Sequence, residues 1–393
     1  MKFSEVKAVR IPKGSVRKIK NSGDVLWNLL CARYVSFGDS IAAGHAIDED
    51  WKTNYGTDSQ YKTEGDPPTV LVPGCYTDLF RTEMIETYGE KRVSVTSFAR
   101  SGDAVPHLVA KLNYTEIREA IRNANLVTLC IGANDVLGPS LDHLEEYIET
   151  GDFSPIEVLV EENLANLDTD THPTSYISLF QKLTEINPNA KYVFTTIYNP
   201  YKYLWLEEGP DGFFQPALDS IPQLTILGFE VDELIKRELL NTAAVQQLFD
   251  RVNRIGAWAE TYVTALNTIL RNKIVSYGNP NFLLAETKAV WDEIPDRIVP
   301  ADKHYNDLVN VEFTRGYNTY TMHWSRLWKG SDRETFWWDL ALKHTSLSGF
   351  DSEGFAEDLI AQSIEKVIMP FIDPHPRPYG HYLMMQAFVD ALM

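Results

Sequence analysis

Four short polar clusters hold the residue types of acyl-transfer chemistry: a hydroxyl, an imidazole and carboxylates set beside small residues. They are Gly38-Asp39-Ser40, Ser101-Gly102-Asp103, Gly132-Ala133-Asn134-Asp135 and, near the end, Asp373-Pro374-His375-Pro376 followed by Gly380-His381. A serine hydroxyl such as that of Ser40 becomes a useful nucleophile when a base lies within hydrogen-bond reach, and His375 is the candidate base. The base in turn needs an acid to fix its tautomer. Each cluster alone has an ordinary structural reading. Gly38-Asp39-Ser40 can cap a helix after a strand, Gly132 to Asp135 can be a strand-to-helix turn, and a histidine between prolines can simply stiffen a loop. Their joint occurrence in this order is what points to a site.

Because the first and last clusters lie some 330 positions apart, the fold must bring them together. From Tyr34 the pattern is α/β. Residues 34–37 form a short strand before Gly-Asp-Ser, and 92–98 a β-rich run before Ala-Arg-Ser-Gly. Residues 117–123 read as helix, and 125–131 as an apolar strand before Gly-Ala-Asn-Asp. Residues 175–186 form an amphipathic helix stopped by Asn187-Pro188, and 191–198 a buried strand. Residues 230–271 have long helical periodicity, and 282–286 a last strand. Alternating strands and helices imply a parallel sheet covered on both faces. In such sheets ligands gather beyond the carboxyl ends of the strands, where the polar clusters fall. The polar segment 48–73 and the Trp-, Tyr- and charge-rich segment 294–354 read as insertions on that face.

The order FGDS, SGD, GAND and DPHP resembles the SGNH, or GDSL, family of serine esterases and lipases. The strand end IYNPY and the spacing from His375 to His381 add to it. The resemblance spans 34 to about 291 and 360–393. It implies a flavodoxin-like three-layer α/β/α hydrolase fold with Ser40 as nucleophile, His375 as base and an oxyanion hole made by Ser40, Gly102 and Asn134. In the family the acid commonly lies three residues before the histidine. Here that position is Ile372, and Asp373 is the near carboxylate expected to serve. The family needs no metal and no cofactor. Its members include lipases, thioesterases, arylesterases and carbohydrate deacetylases. An O-acetyl ester on a polysaccharide is the expected substrate, with a lipase-type ester as the alternative. A binding module that grips glycan without cleaving it is the rival from another class. The aromatic cluster holding Trp324, Trp328, Trp337 and Trp338 can stack on sugar rings or pack as a small satellite core.

Composition narrows the field further. The chain has 393 residues, 36 basic against 55 acidic, for a net charge of −19, and is 44% apolar. That is enough for a large core, and the acidic balance argues against nucleic acid or an anionic membrane surface as main partner. Residues 1–33 nevertheless carry eight Lys or Arg and two acids. They read as a basic N-terminal β arm of two short strands, turning at Lys13-Gly14, ahead of a hydrolase domain over 34–393. Too small to fold alone, the arm must pack on the body or dock on another protein. It is similar to short N-terminal segments of phage tail and appendage proteins, so a virion partner is an expectation.

The start of the chain lacks the apolar core of a secretory signal, and the run 25–37 is too short to span a membrane, so a cytoplasmic product is expected. Cys31, Cys75 and Cys130 form no CxxC pair and read as free thiols. A nucleophile-elbow hydrolase would need GxSxG, which is absent. A metallophosphoesterase would need an early DxH and a final GHxH, and Leu383 stands where the last histidine belongs.

Overall fold

The computed structural model describes residues 32–45, 47, 68–202, 214–215, 217–292, 332–364, 374–376 and 378–392. The arm over 1–31, the body of the 48–73 segment and residues 293–331 lie outside the described residues.

The centre is a five-stranded parallel sheet: β1 (Ala32–Gly38), β2 (Val93–Ser97), β3 (Leu126–Cys130), β4 (Lys191–Thr195) and β5 (Phe282–Ala285), in the order β2-β1-β3-β4-β5. This is the doubly wound, flavodoxin-like order. β1 begins at Ala32, two residues earlier than the sequence pattern implies, so the end of the basic arm already belongs to the sheet. β3 is buried along its whole length, which explains its apolar run LVTLC: a parallel strand covered on both faces has no solvated side to alternate toward. Its one hydroxyl, on Thr128, is met by the Tyr34 phenol at 2.7 Å.

Helices cover both faces. On one side α2 (Tyr76–Tyr88) and the C-terminal helix α13 (Pro378–Leu392) pack on each other, with α10 (Thr287–Asp292) beside α13. On the other lie α4 (Thr115–Asn123), α7 (Tyr176–Ile186) and the 35-residue α9 (Ala243–Tyr277). α4 buries Ile117 and Ile121, one turn apart, and so needs only a narrow apolar stripe. Ser175 caps α7 by accepting the Ser178 N–H at 3.2 Å, and Thr242 caps α9 in the same way. That second cap breaks the helical stretch expected over 230–271 into α8 (Val231–Glu238), a short 3₁₀ turn and α9.

Asp332 to Gly354 of the expected insertion is ordered structure: α11 (Asp332–Lys343), a small hairpin, and the first turn of α12 (Ser352–Ser363). α11 packs on α12, and α12 on α9. Cys75 and Cys130 are buried free thiols. Among the described residues, no helix is long and apolar enough to cross a membrane.

Candidate active site

The strands deliver the clusters. β1 ends at Gly38, whose φ is +151°, and a side chain there would begin 2.2 Å from the Cys130 carbonyl oxygen. Only glycine lets β1 turn this close to β3. The next N–H, of Asp39, donates to that same oxygen at 3.1 Å. Asp39 then caps α1 (Ser40–Ala43), one carboxylate oxygen accepting the Ile41 N–H at 2.9 Å. Ser40 is therefore the first residue of a helical turn, 9% exposed at the sheet's carboxyl edge.

The loop after β2 is tied to the same edge. Phe98 N–H donates to Ser36 and Arg100 N–H to Gly38, extending the pairing past the strand ends. The loop then turns at Gly102, with φ of +81°, a conformation side chains disfavour. After β3 the chain enters α5 (Ala133–Thr150). The Asn134 amide nitrogen donates to the Asp103 carbonyl at 2.8 Å, and an amide nitrogen carries a second N–H.

His375 comes from the segment before α13. The Tyr198 phenol, just past β4, donates to the Pro374 carbonyl at 2.7 Å, and its ring stacks on Trp291 at 3.6 Å. The imidazole of His45 lies parallel to that of His375, with centroids 4.1 Å apart.

These segments enclose a cavity of about 160 Å³. Its polar side holds Ser40, His45, Ser101, Gly102, Asn134 and His375, and its apolar side Ile41, Leu137, Ile197 and Tyr198. Four of the residues singled out in the sequence thus meet at one place, from four separate segments. Asp373 lies outside the described residues, as do Trp324 and Trp328. Trp337 does not reach the cavity. It is fully buried, its indole N–H donating to Ser220 at 3.0 Å and its ring against Phe336 and Phe355. It belongs to the main hydrophobic core and not to a separate satellite core, and a sugar cannot stack on a face already covered. Trp338, 42% exposed on the same helix, also lies outside the cavity lining.

Three buried carboxylates, Asp39, Asp103 and Asp135, each adjoin a cavity residue in the chain. Burial pushes Asp39 up to about 7, against the opposing pull of the Ile41 N–H and of His375. Burial likewise pushes Asp135 up to about 7, its oxygen accepting the Val105 N–H. Asp103 is raised to about 6, burial outweighing the ion pair with buried Lys111. His381, on α13, is pushed down to about 3 by burial and secondarily by His375; its Nδ1 accepts the Tyr76 N–H at 3.3 Å. It packs the final helix and does not face the cavity. Among the described residues no three His, Cys, Asp or Glu side chains are placed to hold a metal ion.

His45, which the sequence reads sooner as a surface-loop residue, lines the cavity, as do Ser101 of the second cluster and Tyr198 of IYNPY, to which the sequence assigns no role. His45 had a signal, five residues past Ser40. Tyr198 had a weaker one, its place at the end of a buried strand.

No family model matches the chain, and no curated protein matches it. Among solved structures, the chain is similar to the lipase Lip_vut3 from a goat rumen metagenome. The two are 16% identical, with 91% of this chain and 96% of that one covered and a TM-score of 0.39. It is similar to the acetylxylan esterase Axe2 from Geobacillus stearothermophilus at 14% identity, covering 93% and 96%, with a TM-score of 0.40. The extracellular lipase of Streptomyces rimosus matches at 14% identity over 66% of this chain and 81% of that one, with a TM-score of 0.39. These neighbours are ester hydrolases by name.

Proposed function

We propose that this chain is a serine esterase of the SGNH kind that hydrolyses short-acyl carboxylic esters, with O-acetyl groups on a polysaccharide as its substrate. The supporting observation is that Ser40, Gly102, Asn134 and His375 line one cavity although they come from four segments of the chain.

In this reading Ser40 Oγ attacks the ester carbonyl while His375 takes its proton. The carbonyl oxygen, now negative, is held by the N–H groups of Ser40 and Gly102 and by the Asn134 amide, each donor contributing about 3 kcal/mol to lowering the barrier. His375 then protonates the departing alcohol. A water molecule, deprotonated by His375, then attacks the acyl carbon, and as the bond to Ser40 Oγ breaks His375 returns the proton to Ser40, releasing the carboxylic acid. Asp373 is assigned as the acid that orients His375. The arm over 1–33, apart from Ala32 and Arg33 in β1, is assigned to docking on another protein, and the rest of the chain to the hydrolase.

The cavity volume favours a small acyl group, being about that of a cavity able to hold a benzene molecule. Its apolar wall of Ile41, Leu137 and Ile197 favours a second reading, a lipase whose acyl chain extends along that wall. A series of p-nitrophenyl esters from acetyl to palmitoyl separates the two, and acetate release from acetylated polysaccharide tests the glycan. The acetyl ester should be turned over fastest, and Ser40→Ala should abolish turnover without lowering the melting temperature. Preference for long chains would favour the lipase. Absence of any Ser40-dependent turnover, with glycan binding retained, would leave only a binding module.

A further inference from the structure

The turn that follows α1 folds back on itself. The N–H of His45 donates to the Ser40 carbonyl at 2.9 Å, bringing the His45 imidazole to the cavity wall beside the serine. There its Nδ1 lies 2.8 Å from the hydroxyl of Ser101, on the loop after β2. The ring is thus fixed by its own backbone and by a side chain from a neighbouring strand's loop. Its face is turned to His375, at 4.1 Å and only 10° from parallel.

We propose that His45 is a positioning residue for His375: a stacking platform that holds the His375 ring where it can serve Ser40. The inference rests on the esterase reading. The torsion that swings an imidazole about its Cβ–Cγ bond is broad and weakly restrained, so the ring needs an outside constraint to keep one nitrogen aimed at a hydroxyl. A parallel ring at van der Waals distance supplies one. When the Ser40 proton moves to His375, a positive charge appears over the face of the His45 ring, and a cation within about 6 Å of an aromatic face is attracted to it. His45 exchanges no proton in this scheme. Its effect arises as the charge develops and therefore falls on kcat, leaving KM largely unmoved.

The test compares wild type, His45→Ala, His45→Phe and Ser101→Ala on p-nitrophenyl acetate, with fluorophosphonate labelling of Ser40 as an independent count of sites. His45→Ala should lower kcat about tenfold with KM within about twofold, and His45→Phe, which restores a ring, should recover kcat to within about threefold of wild type. Unchanged kcat in His45→Ala, or a Phe variant no better than Ala, overturns the proposal. If His45→Ala fails to fold by circular dichroism, Ser101→Ala, which loosens the ring without emptying its place, decides: kcat unchanged from wild type overturns it. A wild-type chain that neither hydrolyses the ester nor takes the label removes the esterase reading and this inference with it. An active, labelled wild type beside an unaffected His45→Ala removes this inference alone.

Discussion

Asp39, Asp103 and Asp135 each stand next to a cavity residue, yet all three carboxylates point into structure: Asp39 caps α1, Asp103 pairs with Lys111, and Asp135 holds the start of the helix at Val105 (α3, Val105–Lys111). Their neighbours Ser40, Gly102 and Asn134 are left to line the cavity. The same short clusters therefore contain both a residue that lines the cavity and a carboxylate bound into the surrounding structure. Asn134 offers the sharpest test of this division, because its amide is anchored on the Asp103 carbonyl and still carries a second N–H. Asn134→Ala should reduce kcat about 100-fold with KM within about twofold, the loss expected for one donor to a developing oxyanion. Steady-state kinetics on p-nitrophenyl acetate would show it, and a loss confined to KM would assign Asn134 to ground-state binding instead. Cluster composition made Ser40, Gly102, Asn134 and His375 legible in the sequence. It did not make His45 legible, because a stacking partner is defined by the plane of another ring and not by residue type.

At the scale of elements, the strand ends carry the geometry. Gly38 permits β1 to meet β3, the β2 loop is tied to β1 by two backbone bonds past the strand, and Tyr198 reaches from the end of β4 to the segment bearing His375. The Tyr198 tether links the end of β4 to the segment bearing His375 through one hydroxyl, which a single substitution can remove. Tyr198→Phe keeps the ring on Trp291 and deletes the bond to the Pro374 carbonyl, worth about 1 kcal/mol. A roughly fivefold fall in kcat, with a melting temperature lowered by only a few degrees, is expected. If kcat is unchanged, the segment before α13 is held by other contacts. The strand and helix pattern was readable because burial on both faces forces apolar runs in β3 and β4, and one-sided burial forces the stripe on α4. The break between α8 and α9 was not, since it turns on the Thr242 cap, and helical periodicity continues on either side.

The whole molecule buries ionisable groups of opposite pH response. Asp39 and Asp135 keep their protons in the folded chain up to about pH 7, against the ordinary 3.8. The unfolded chain therefore gives up those protons first, so the stability these groups contribute is whole below about pH 4 and is lost as pH rises through about 7. His381 acts in the other direction. Its folded value of about 3 lies below the ordinary 6.5. Its contribution is whole above about pH 6.5 and is lost as pH falls toward 3. Asp39→Asn keeps an oxygen to cap α1 and removes one titration. Its melting temperature relative to wild type should therefore rise between about pH 5 and about pH 8, as read by thermal denaturation across that range. A gap independent of pH would mean that Asp39 is solvated when charged.

By itself the sequence determined the class of fold and the kinds of groups available. Hydrophobic periodicity is local, and so are the glycines and caps that end strands. What only the tertiary structure decided is which of those groups share a space. It set the His45 ring against His375, carried Tyr198 to the loop before α13, and sent Trp337 into the main core. Such choices depend on contacts between segments tens to hundreds of residues apart, and no local pattern along the chain encodes the distance between two side chains across a sheet.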